Sequence, residues 1–145
     1  MSHQLIELFP GIAEKQYFQN PETKEFWFHA TAVCRELEFE NTSRSLMLHT
    51  DEDERFQEIF EGRTVWFISE AGCYGLALAS KSEKAKKFKR WLKHDVLPKL
   101  RASGYYIASN ATSEQLESMQ KELNRYKSEV AFINSEIRGV DQYFR

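Results

Sequence analysis

Leu116, Met119, Leu123, Tyr126, Val130, Ile133, Ile137 and Val140 follow one another at alternating spacings of three and four residues. That is the a/d pattern of a heptad repeat, and it predicts one long helix with an apolar seam. A lone helix of this kind would leave its seam wet. It has to pack on copies of itself or fold back on the rest of the chain, and self-association is the expected outcome. Phe132 lies off the seam, which leaves room for a wider bundle. The preceding stretch, residues 108–114, is polar and reads as a connector.

Upstream the apolar positions change period. QYFQ (16–19) and EFWF (25–28) are short aromatic runs on either side of NPETK (20–24), where Pro21 fixes φ and holds Asn20 extended. This predicts a β-hairpin, with a further strand around Ile6–Phe9 that ends at Pro10-Gly11. In TAVCREL (31–37), Val33, Cys34 and Leu37 share a helical face. TSRSLMLH (42–49) reads as a second short helix capped by Asn41 or Thr42. The acidic DEDERFQEIFEG (51–62) predicts an exposed loop or short helix, and RTVWFIS (63–69) a strand. Ser69 then caps a helix through residue 79, in which Gly72 and Gly75 would allow another backbone to approach closely.

From residue 80 the pattern is amphipathic. Ser80 and Glu83 have the spacing of a capping box. At 100° per residue, Ala85, Phe88, Trp91 and Leu92 fall on one side, with Lys86, Lys89, Arg90 and Lys93 on the other. Pro98 predicts a break near 95–97, followed by a second short helix that stops at Gly104. The reading is α+β: a small N-terminal β-sheet or hairpin with several short packed helices, then the long heptad-patterned helix. The expected division is a domain over 1–107 and a connector with an oligomerisation helix over 108–145.

Charge sharpens this picture. The 145 residues carry a net charge of only −2, with an apolar fraction of 41 %. Residues 1–63 hold 13 acids and 6 bases, whereas residues 64–107 hold 3 acids and 9 bases. Such an asymmetry makes a directional electrostatic surface. Lys81, Lys86, Lys89, Arg90, Lys93, Lys99 and Arg101 are the candidates for phosphate contacts on double-stranded DNA. Asn41, Ser43 and Arg44 are the candidates for base contacts. The bland alternative is a solvated lysine-rich face over a buried stripe. A pairing of the charged face with a protein partner is the other alternative.

No apolar run approaches the ~18 residues that a membrane span needs. The N-terminus lacks a basic segment followed by an apolar one, so a signal peptide is not expected. Cys34 and Cys73 are too few for a disulfide framework and read as buried thiols in a reducing compartment. His49, Asp51 and Asp53 put a histidine beside acids in a polar stretch, an arrangement that is ordinarily solvated. Zinc-ligand spacing, a phosphate loop and a nucleophile–base pair are all missing from the sequence. The expectation is a non-enzymatic cytoplasmic protein with no cofactor.

Residues 28–106 resemble the N-terminal domain of the BRO family, found in baculovirus repeated-ORF proteins and in phage and prophage antirepressors. The resemblance rests on Phe28-His29-Ala30 with Val33 and Leu37, then Phe39, Asn41 and Ser43, then His49, Asp51 and Asp53. It is densest from Phe67 onward: Ile68-Ser69-Glu70, Gly72, Tyr74 and Leu76, then Ser80, Glu83-Lys84-Ala85, Phe88, Trp91, Val96-Leu97-Pro98, Arg101 and Gly104-Tyr105. Ala32 stands where that family usually has an acid, and Glu38-Phe39 where it has Gly-Tyr. The resemblance implies a compact α+β domain that binds DNA. It also implies gene regulation in a phage, virus or mobile element, at the nucleoid of a bacterial host or in a host nucleus. A protein-directed role, inactivating a repressor, is the alternative that the same resemblance implies.

Overall fold

Aromatic strands build the sheet. A computed structural model describes residues 16–143, with side chains described up to residue 139. Strands β1 (Tyr17–Gln19) and β2 (Phe26–His29) pair antiparallel with Phe18 opposite Trp27, so the hairpin is present. Asn20 shapes its loop by accepting from the N–H groups of Glu22 and Thr23 at 2.9 and 3.2 Å. The strand expected around Ile6–Phe9 lies outside the described residues, as does the side chain of Val140.

The central partner of β2 is β4 (Arg63–Ser69), and β3 (Arg55–Phe60) lies on the far side of β4. The result is a four-stranded antiparallel sheet of order β1-β2-β4-β3. The stretch expected to be a loop or short helix is therefore a 3-10 turn (Glu52–Glu54) leading into an edge strand. The physical reason is the turn that follows it. Glu61 and Gly62 both take positive φ, 50° and 77°, in the two-residue loop whose twist matches antiparallel strands.

Helices cover one face of this sheet. They are α1 (Ala30–Glu36), α2 (Thr42–His49), α3 (Glu70–Ala79) and α4 (Glu83–Trp91). Phe28 and Ile68 from the strands meet Val33, Leu37, Leu46, Leu76 and Phe88 from the helices in one core. Cys34 and Cys73 are buried there as free thiols. Burial pushes the Cys34 thiol up to about 11 and Cys73 well above its usual range. Asn41 caps α2 by accepting from the Arg44 N–H at 3.0 Å, and Ser69 caps α3 by accepting from Gly72 at 3.2 Å. Gly75 meets the end of α2 so closely that a Cβ there would lie 2.4 Å from the His49 carbonyl oxygen.

The start of α4 differs from the expectation. Its cap is Ser82, which accepts from the Ala85 N–H at 3.2 Å. Ser80 is fully buried and occupied elsewhere. Its hydroxyl donates to the Leu37 carbonyl at 2.7 Å and accepts from the Ser82 N–H at 3.1 Å. A tertiary bond thus takes the serine that local spacing would have used as a cap.

The expected break near 95–97 is a wide turn instead. A single π turn over Leu92–Val96 joins α4 to α5 (Leu97–Ser103), and Leu97 donates to the carbonyl of Leu92, five residues back. Proline has no N–H to give, and in a regular helix its ring would press on the carbonyl four residues earlier. Widening the turn before Pro98 relieves that clash without ending the helix. Gly104, at φ +81°, stops it.

The chain divides into two units between Ala102 and Ser103, a few residues before the boundary expected at 107–108. The second unit contains α6 (Ser113–Tyr143). Thr112 and Gln115 close its first turn reciprocally: Gln115 N–H donates to Thr112 Oγ1 at 3.2 Å, and Thr112 N–H to Gln115 Oε1 at 2.9 Å. Among the described residues no helix is long and apolar enough to cross a membrane.

Candidate nucleic-acid interface

The helix from Glu83 to Ser103 carries the positive charge. Ala85 and Phe88 anchor it to the core, and Tyr74 of α3 stacks on Phe88 with ring centroids 6.0 Å apart and 5° between planes. Trp91 does not follow them inward. Its ring lies 6.0 Å from Phe88, yet the residue is 41 % exposed. Its helical angle places it on the flank of the apolar stripe, where it covers Phe88 from the solvent side.

Lys89, expected on the outer face, instead leans toward the core and donates from Nζ to the Ser80 carbonyl at 2.7 Å. Lys86 pairs with Glu83 at 3.2 Å and Lys99 with Asp95 at 2.7 Å, both on the surface of the same helix. Lys84 reaches across to Glu36 and ties α4 to the end of α1. Among the described residues, Lys81, Arg90, Lys93 and Arg101 are exposed without an acid partner, and so is Lys87, which the sequence reading passed over. Its signal was present: Lys87 lies one helical turn before Arg90, on the face opposite Ala85 and Phe88. Exposed ion pairs contribute roughly 0–1 kcal/mol, so Lys86 and Lys99 can exchange their acids for phosphate at little cost.

The expected site residues do not form a single group. Lys81 and the cations from Lys86 to Arg101 lie on or just before one continuous helix. Asn41, Ser43 and Arg44 sit at the first turn of α2. The Asn41 oxygen is committed to capping, while Ser43 and Arg44 are exposed. His49 packs against Phe39 in a tilted arrangement, with centroids 5.7 Å apart, and Asp51 donates its N–H to Glu54 Oε1 at 2.7 Å. These are structural duties. Nearby, Glu25, Asp51, Asp53, Glu54 and Glu70 surround a cavity of about 330 Å³ together with Phe26 and Trp27. Among the described residues no group of three His, Cys, Asp or Glu is arranged to hold a metal ion.

On α6, the seam from Leu116 to Ile137 is open along its length. Leu116, Met119, Leu123, Tyr126, Val130, Ile133 and Ile137 are each between 38 % and 55 % exposed. Beside them Arg125 pairs with Glu122 at 2.8 Å and Glu129 at 3.9 Å, and the Glu122 carboxylate raises its pKa.

This combination defines a small α+β domain with a cationic helix and an appended apolar-seamed helix. A family model, that of the BRO family N-terminal domain, matches residues 16–98, more than half of the chain. The chain belongs to the BRO family through this domain, which spans the sheet and the helices up to Pro98. An uncharacterized protein of Haemophilus influenzae is 31 % identical over 86 residues, covering 57 % of this chain and 43 % of that protein. The chain thus matches less than half the length of that relative. No solved structure matches it.

Proposed function

We propose that this protein is a DNA-binding regulator of phage, virus or mobile-element type. It contacts phosphates of double-stranded DNA with the outer face of α4 and α5, and it self-associates through α6. One observation carries the reading. Residues 81–101 hold nine Lys or Arg against two acids, a local charge of +7 in a chain of −2. That charge lies along one helix whose apolar side is anchored in the core, so the cations are held in place. The family supports the same reading. The acidic first part of the chain argues against nonspecific coating of DNA. The regulator acts without a cofactor and would work at the nucleoid of a bacterial host or in a host nucleus.

The test is fluorescence anisotropy of labelled duplex DNA at about 50 and 200 mM salt, comparing the native protein with a Lys87→Ala, Arg90→Ala double variant. Each phosphate contact contributes roughly 0.9 to the slope of log K against log salt, so the variant should bind more weakly with a slope lower by about 1.8. An unchanged slope would remove this face from the mechanism.

A second reading is an antirepressor that binds a repressor protein without touching DNA. The exposed Trp91 and Tyr74, which both pack on Phe88, favour it, because aromatic anchors flanked by Arg and Lys suit a protein interface. Absence of DNA binding by the folded native protein at both salts would select this reading.

A further inference from the structure

We propose that α6 pairs with a second copy of itself in a parallel, in-register coiled coil, with Glu122 of each helix facing Lys127 of the other. This rests on the self-association reading and specifies its geometry.

The argument starts from the flanks of the seam. With Leu116 at a and Met119 at d, the g positions are Gln115, Glu122, Glu129 and Glu136, and the e positions include Lys127. Residues at e and g flank the contact and set the orientation of the partner helix. In a parallel coil, each g faces the e of the following heptad. Glu122 then meets Lys127 of the other copy, once on each side, and Glu129 meets the neutral Asn134. Only the last pair, Glu136 with Asp141, opposes like charges.

The antiparallel alternative aligns g with g and e with e. With the seam in full overlap, Leu116 opposes Val140. Glu122 then faces Glu136, Glu129 faces its own counterpart, and Lys127 faces its own counterpart. Every charged contact along the flanks is repulsive, which works as discrimination against that orientation. The intrahelical bond from Arg125 occupies Glu122 Oε2 and leaves Oε1 for the partner's lysine.

The surface of the helix has a matching shape. Leu123, Tyr126, Lys127, Val130, Ala131 and Asn134 outline an open depression of about 370 Å³. The first four are the a, d, e and next a positions, the residues that make a hole for a d-position knob, and the depression continues along the e flank to Asn134. In the parallel register the knob is the Tyr126 side chain of the second copy.

A single nitroxide at Ser113→Cys in the full-length protein tests this. Ser113 is exposed, outside the seam and outside the Thr112–Gln115 cap. The native thiols are buried with raised pKa values, so the new thiol is the reactive one. A parallel coil brings the two labels within about 30 Å, given helix axes roughly 8–10 Å apart. An antiparallel coil separates them by about 45 Å along the axis, at about 1.5 Å per residue. Light scattering on the same sample reads the mass. An oligomer with the short distance supports the proposal. An oligomer with only the long distance overturns the orientation and keeps self-association. A monomeric mass overturns both.

Discussion

Gly75→Ala adds one methyl group at the tightest crossing in the helical layer. The new Cβ would lie 2.4 Å from the carbonyl oxygen of His49, whereas the corresponding contact at Gly72 would be 3.2 Å from the Glu54 oxygen. The neighbour at Gly75 is backbone, so no side chain can swing away. The end of α2 has to move by about 0.8 Å relative to α3, the difference between those two contacts. Overpacking of this kind costs about 1–3 kcal/mol, and a backbone clash belongs at the upper end. Alanine returns about 1 kcal/mol through its better helix propensity. The net expectation is a loss of about 2 kcal/mol, or roughly 8 °C in thermal midpoint for a domain of this size. Urea melts followed by far-ultraviolet circular dichroism measure it, with Gly72→Ala as the milder comparison. A Gly75→Ala protein as stable as the native one would refute the reasoning, because the propensity gain would then have met no steric cost.

Two further outcomes follow from buried polar groups. Ser80→Ala leaves the Leu37 carbonyl and the Ser82 N–H without their partner, which costs about 2–3 kcal/mol in the same melts; a loss under about 0.5 kcal/mol would contradict it. His29 has its pKa lowered, first by burial and then by Arg35, so the fold holds the neutral ring. The unfolded chain binds the extra proton near pH 6.5, so His29's contribution is complete above that pH and is lost as pH falls below it. His29→Gln should flatten the acid side of a plot of midpoint against pH, and an identical slope in the variant would exclude the effect.

Local patterns were legible wherever one period dominated. The heptad seam, the Asn20 hairpin, the caps at Asn41 and Ser69 and the small residues at 72 and 75 all follow from short-range chemistry, and each stands in the fold as expected. β3 was not legible, because its acidic surroundings and its water-facing Gln57 and Glu58 hide the alternation of Phe56 and Phe60. Its better signal was Glu61-Gly62, a two-residue turn ahead of a clear strand. Ser80 deceived because its true partner, Leu37, is 43 positions away. The candidate site was legible as a residue type but not as an arrangement. Residue type alone makes Lys84, Lys86 and Lys89 equal as cations. Only the fold shows one bound to Glu36, one to Glu83 and one to a backbone carbonyl.

The π turn at Leu92–Val96 has a directional consequence. It holds one residue more than an α turn, and one residue is about 100° of helical rotation. In a regular helix Arg101 would point the same way as Glu83, eighteen residues earlier, alongside Lys87 and Arg90. The extra residue turns Arg101 away from that line by about a quarter of a circle, and the same rotation brings Lys99, which a regular helix would put on the opposite side, round to the flank beside Lys87. The positive charge therefore stays on one broad side of the rod, with Arg101 at one flank and Lys99 at the other. Pro98, through the turn it imposes, acts as the screw that sets both against the line of Lys87 and Arg90.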